Sequence, residues 1–122
     1  MTKSFSRFAR KARIEDAVLW HSAVRADSGV IDADLGGGVI KLRIARKGEE
    51  RSGGSRAIVL FRLNVRAVFA FGFEKKDLGN ISSRDLEAFR ELAQVILGYS
   101  NAEIAHQAAA GSLIEITEPE GA

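Results

Sequence analysis

Three stretches decide the fold: Val39-Ile40-Lys41-Leu42-Arg43-Ile44-Ala45, then Ala57-Ile58-Val59-Leu60-Phe61-Arg62-Leu63, then Ala67-Val68-Phe69-Ala70-Phe71-Gly72-Phe73. In the first, Ile40, Leu42 and Ile44 alternate with Lys41 and Arg43, the period of two that a half-buried strand requires. The second is almost continuously apolar, which predicts a strand buried on both faces. The third is apolar too, and plain alternation puts Phe69, Phe71 and Phe73 on one face and Val68, Ala70 and Gly72 on the other. Arg46 to Ser55 reads as a loop rich in charge and glycine. Leu63-Asn64-Val65-Arg66 reads as a tight hairpin link. Consecutive strands with short links predict an antiparallel meander.

Working outward, Phe5, Phe8, Ala9 and Ala12 recur at helical spacing, with Arg7, Arg10, Lys11 and Arg13 between them. A short strand over Thr2 to Phe5 stays open as an alternative. Glu15 to Asp27 predicts a second helix, with Ala17, Trp20, Ala23 and Val24 along one face and Gly29 just past its end. Val30 to Gly38 reads as a connection ending in three glycines. Asn80-Ile81-Ser82-Ser83 opens a third helix, whose Leu86, Phe89, Leu92, Ala93, Ile96 and Leu97 form an i, i+3, i+4 stripe ended by Gly98. Ser100-Asn101-Ala102-Glu103 is a capping box that starts a fourth helix, to about Ala110. Leu113 to Ile116 is a short strand or a strap, and residues 118–122 read as a frayed tail. The expected architecture is one α+β domain over residues 1–122, with residues 1–13 as a basic N-terminal segment. It has two layers: an antiparallel sheet of three to four strands, with the N-terminal and C-terminal helices packed on one face. The other face displays Lys41, Arg43 and the cations at the strand ends.

The 122 residues include no cysteine, so disulfides and thiolate metal sites are excluded. No apolar run approaches the ~18 residues of a membrane span, and no signal-peptide pattern opens the chain. The expectation is a soluble, cytoplasmic protein with no membrane partner. The net charge of +2 hides an asymmetry: residues 1–76 hold 16 Lys and Arg against 8 Asp and Glu, and residues 77–122 hold 2 against 8. Such a split points to a polyanion-binding surface or to charges that simply solvate the fold. His21 and His106 lie far apart without an accompanying metal-ligand pattern, and read as ordinary surface histidines. Ser52, Ser55, Ser82 and Ser83 have no partner that would suggest a Ser-His-Asp triad. Neither glycine-rich stretch is followed by Lys-Ser/Thr opening a helix, so neither matches a P-loop.

What remains is a set of cations along and at the ends of neighbouring strands: Lys41, Arg43, Arg46, Lys47, Arg51, Arg56, Lys75 and Lys76. Two readings compete. One makes them solvated strand faces and charges guarding sheet edges. The other makes them an RNA-binding and RNA-cleaving surface. Attack of a 2′-OH on the adjacent phosphate needs positioning, donors for the developing charge and a proton acceptor. Arginine brings a bidentate fork to phosphate, and lysine a point charge that gives up its proton more readily among like charges.

The stretch from Val30 to Phe61, with its Asp32-Ala33-Asp34-Leu35-Gly36-Gly37-Gly38 and Arg51-Ser52-Gly53-Gly54-Ser55-Arg56 blocks, resembles the RelE/HigB-like toxins of bacterial type II toxin-antitoxin systems, within the RelE/ParE superfamily. So do Phe73-Glu74-Lys75-Lys76-Asp77-Leu78-Gly79-Asn80-Ile81, the third helix, and the segment from Ser100 into Gly111-Ser112-Leu113. The resemblance covers nearly the whole chain and is weakest before residue 14. It implies a RelE-like fold and a ribosome-dependent mRNA endonuclease that enters the A site and halts translation. It also implies a metal-independent reaction without cofactor, and a cognate antitoxin that holds the toxin silent. Carried over by position, Arg56 would stabilise the transition-state charge, and Lys41 and Lys75 would assist or accept a proton. Arg43, Arg46, Lys47, Arg51 and Lys76 would hold RNA backbone. The best-known members carry a stacking tyrosine after the last strand; here Asn80-Ile81-Ser82 stands there, which leaves Phe73 to stack. Relatives of the ParE type poison DNA gyrase without cutting RNA. That non-nucleolytic toxin and a plain RNA-binding module are the alternatives.

Overall fold

The computed structural model describes residues 1–44, 54–74 and 81–120. Its elements are α1 (Lys3–Lys11), α2 (Asp16–Asp27), β1 (Ala33–Gly36), β2 (Val39–Ile44), β3 (Ser55–Arg62), β4 (Arg66–Glu74), α3 (Ser83–Leu97) and α4 (Asn101–Ala109). The strands form one antiparallel sheet in the order β1-β2-β3-β4. The fold is thus α+β with the expected antiparallel meander, and its fourth strand is β1. Strand β1 occupies part of the stretch that alone reads as a connection. Asp34 pairs with Ile40 and Gly36 with Val39 across a tight turn. Gly36, Gly37 and Gly38 all take positive φ there (81°, 63° and 84°), a conformation glycine adopts without steric penalty. The Gly36 N–H donates to Asp34 Oδ1 at 2.9 Å and closes the turn locally.

The helices do not share one face, and the expected two-layer packing is corrected. Ile40, Leu42, Ile44, Ala57, Val59 and Phe69 pack against Phe5 and Ala9 of α1 and Leu19 and Ala26 of α2. On the opposite face Val39, Ile58, Leu60, Val68, Ala70 and Phe73 pack against Ala93, Ile96 and Leu97 of α3. The reason lies in β3: a strand apolar on both faces needs a cover on each.

A second correction concerns the phenylalanines of β4. Ile58 pairs with Phe71 but Val59 with Phe69, so Ala70 is the extra residue of a β-bulge. The bulge resets the alternation. Phe69 faces α1, with its ring 5.2 Å from that of Phe5. Phe71 and Phe73 face α3, and Phe71 lies 6.1 Å from Phe89. Gly72 now faces α1, where a Cβ would run into the Phe8 ring, 2.5 Å from Cε2.

The segment Leu113–Ile116 is a strap. It joins the N-terminus through a single antiparallel bridge, Thr2 to Leu113, and through Met1 N–H to Ile114 O and Ile114 N–H to Met1 O, both 2.7 Å. Thr2 in turn donates its N–H to Phe69 O and its Oγ1–H to Ala70 O, each at 3.0 Å. The chain's own ends thereby cover part of the β4 edge. Helix starts match the sequence reading. Ser82 Oγ accepts from Asp85 N–H at 3.1 Å, and the Ser100–Glu103 capping box is formed in both directions.

Candidate nucleic-acid interface

Pairing of β2 with β3 sets Arg43 opposite Arg56 and Lys41 opposite Ile58; pairing of β3 with β4 sets Arg56 opposite Phe73. Alternation then puts Lys41, Arg43, Arg56, Phe71 and Phe73 on one face, the one that α3 covers toward its Val39–Leu60 end. Directly opposed arginines repel, so this row needs a compensating anion. Asp32, just ahead of β1, supplies one. Its Oδ2 lies 3.5 Å from Lys41 Nζ and 3.8 Å from Arg56 Nε. Its backbone N–H donates to Lys41 O at 2.9 Å, which fixes the residue to β2 independently of its side chain.

Exposure grades the cluster. The Arg56 side chain is 10% exposed, that of Lys41 29% and that of Asp32 36%. The guanidinium forms the floor, with one Nη1–H to Ser55 O at 3.4 Å, and the ammonium and carboxylate form the rim. On the other face Ser55 Oγ–H donates to Glu74 Oε1 at 3.0 Å and ties β3 to the end of β4. Among the described residues the arrangement offers charge, directed N–H donors and the Asp32 carboxylate to an anion arriving from solvent.

The structure therefore brings together four of the nine residues nominated from sequence: Lys41, Arg43, Arg56 and Phe73. Arg46, Lys47, Arg51, Lys75 and Lys76 lie outside the described residues. Phe73 is 8% exposed and packs 6.2 Å from Phe71, so most of its ring is spent on the core under α3. Sequence reasoning missed Asp32. The local signal was a brief alternation of Ile31, Ala33 and Leu35 with Asp32 and Asp34 ahead of the glycine turn, and it does not show which cations Asp32 meets. The cations of α1, Arg7, Arg10 and Lys11, are exposed on the helix that backs the opposite face. His21 and His106 are exposed on α2 and α4.

A second concavity, of about 670 Å³, lies between α2, the start of β4, α4 and the strap, lined by apolar groups such as Trp20, Val24, Val65, Ile104 and Ile116. None of the described candidates lines it, and its chemistry does not suit phosphate. Among the described residues no helix is long and apolar enough to cross a membrane, and no three His, Cys, Asp or Glu side chains gather as a metal site.

A four-stranded antiparallel meander carrying cations on one face, with helices before and after it, defines a RelE-like α+β toxin domain. The family model described as RelE toxin of the RelE / RelB toxin-antitoxin system matches residues 1–116, and the chain belongs to that family. Comparisons with curated proteins and with solved structures gave no match. Membership makes this the toxin of a toxin-antitoxin pair, implies a cognate antitoxin, and places it in a family generally of mRNA-cleaving toxins.

Proposed function

We propose that this chain is a ribosome-dependent mRNA endonuclease acting in the cytoplasm, which cuts messages in the ribosomal A site and is held silent by its antitoxin. The observation that carries the reading is the graded cluster on the sheet: Arg56 at the floor, Lys41 and Asp32 at the rim, Arg43 alongside. Such a site is built to receive one phosphodiester. Cleavage joins the 2′-O to phosphorus and breaks the bond from phosphorus to the 5′-O, leaving a 2′,3′-cyclic phosphate and a 5′-hydroxyl. Arg56 holds the non-bridging oxygens as their charge grows, the kind of stabilisation that supplies much of the rate in such reactions. Lys41 and Lys75 assist it. Arg43, Arg46, Lys47, Arg51 and Lys76 hold the RNA backbone. No metal or cofactor takes part.

The test is tightly controlled expression in a bacterial host with primer-extension mapping of 5′ ends. Growth arrest is expected, with in-frame cuts in translated messages that vanish when the start codon is removed. Arrest with intact messages and a DNA-damage response would replace this reading with the gyrase-poison type. Soluble protein without arrest, binding RNA with a steep salt dependence, would leave a binding module.

A further inference from the structure

The basic cluster contains a group that binding alone does not need. Asp32 Oδ2 stands 3.5 Å from Lys41 Nζ and 3.8 Å from Arg56 Nε, so any phosphate that engages both cations also meets the carboxylate. For binding that meeting is unfavourable, because the two anions repel at short range. For cleavage it supplies what the described cations lack. Arginine keeps its proton throughout the working pH range, and an ammonium has three donors and no lone pair. Neither Arg56, Arg43 nor an ion-paired Lys41 can take the proton from a 2′-OH; a carboxylate can.

Resting on the endonuclease reading, we propose that Asp32 is the proton acceptor of the cleavage and Lys41 the proton donor to the leaving group. The Asp32 carboxylate takes the 2′-OH proton as the 2′-O bonds to phosphorus. Lys41 Nζ gives a proton to the 5′-O as its bond to phosphorus breaks. The proton left on Asp32 then passes to the Lys41 amine beside it, and the ion pair is restored with no net gain or loss of protons. The exposures fit this division: the two proton-handling groups are at the rim, where the ribose and the leaving oxygen arrive, and the guanidinium is beneath them. The geometry is also held in place, because the Asp32 N–H to Lys41 O bond seats the residue whatever its side chain.

The experiment is single-turnover cleavage of an A-site message on purified ribosomes, across pH, with the full chain and the variants Asp32→Asn, Asp32→Glu and Lys41→Arg. Asp32→Asn is expected to lower the rate constant by about 100-fold or more, to keep or raise ribosome affinity, and to lose the acid limb of the pH–rate profile. Asp32→Glu should keep a larger share of the rate. Lys41→Arg preserves the charge but removes the transferable proton, and should slow the reaction and lose the alkaline limb. An Asp32→Asn variant cleaving within about threefold of wild type overturns the proposal, as general acid–base catalysis is worth far more. So does one that is slower and weaker-binding with an unchanged pH profile, since it marks a purely structural role. A Lys41→Arg variant at full rate overturns the donor half. Wild-type protein that leaves messages intact overturns the endonuclease reading itself, a different result from a cleaving wild type with an equally active Asp32→Asn.

Discussion

Arg56 is nearly out of solvent yet charged, and the Asp32 carboxylate and the Ser55 carbonyl make that tolerable. Replacing it with alanine leaves Asp32 facing Lys41 at the rim, so among the described groups the carboxylate keeps a cationic partner. Arg56→Ala is therefore expected to keep its fold by circular dichroism while single-turnover cleavage falls about 100- to 1000-fold, the cost of losing one donor to a developing oxyanion. A folded Arg56→Ala variant of full toxicity would sink the endonuclease assignment. Gly72 makes the opposite case, a position where packing decides. A Cβ there would lie 2.5 Å from Phe8 Cε2 and 2.7 Å from Cγ, so the whole ring, already seated against Phe5, must move. Gly72→Ala is expected to cost about 1–3 kcal/mol in urea unfolding, in the usual range for overpacking. Cleavage should be little changed, as Gly72 faces away from the cations. The two residues also show what single positions reveal in sequence. Lys41 and Arg43 were legible because strand alternation is local, and Arg56 because it stands where the basic, glycine-rich loop meets the next strand. Asp32 and Gly72 were not, because their neighbours come from other elements.

Among the elements, β2, β3, β4 and the four helices could be read from the chain, because each carries a period, a bounded apolar run or a cap. Strand β1 is only four residues long and half-buried, too short for a convincing alternation. It is held by groups remote in sequence. Arg90 of α3 donates its Nε–H to Leu35 O at 3.2 Å and also an Nη2–H to the same oxygen, and its stem lies against Gly37, where a Cβ would meet Cγ at 2.9 Å. The clamp predicts that Arg90→Ala loosens the β1–β2 hairpin. The substitution should cost about 1.5–3 kcal/mol, the scale of a hydrogen bond from a charged donor, and amide exchange should speed up most in β1. The bulge at Ala70 was equally hidden, since no residue type marks it, and it alone turned Phe69 away from Phe71 and Phe73. The start of α4, by contrast, was fully legible. Glu103 accepts the Ser100 N–H at 2.9 Å, and this bond holds its carboxyl below the ordinary value. A carboxyl lowered in the folded state contributes stability above its unfolded value and loses it as pH falls through the folded one. Acidification is therefore expected to fray α4 first at Asn101–Glu103, read by amide exchange, and Glu103→Gln should remove most of that pH response.

At the scale of the whole molecule, the sheet sorts the cations. Phe5 and Ala9 bury one side of α1 against the sheet, so Arg7, Arg10 and Lys11 point to solvent behind it, and Lys41, Arg43 and Arg56 lie in front. The sheet and a helix about 10 Å across separate the two sets, more than a Debye length of about 8 Å at physiological salt. The α1 charges can therefore help gather a polyanion but cannot act on the phosphate that Arg56 holds. This separation explains why the first 76 residues look uniformly basic in sequence while only part of that charge belongs to the site. It also predicts a split between affinity and rate. The double variant Arg7→Gln, Arg10→Gln should weaken ribosome binding, with the slope of log affinity against log salt shallower by about 0.7–0.9 for each phosphate that is no longer neutralised. At saturating ribosomes its cleavage rate should match wild type. Lys41→Ala should lower the saturated rate itself, because it acts on the reacting groups and not only on capture. Titrating both variants at two or three salt concentrations separates the effects. An α1 variant whose saturated rate falls as far as that of Lys41→Ala would mean that RNA wraps behind the sheet, and that the front face is not where the message is cut.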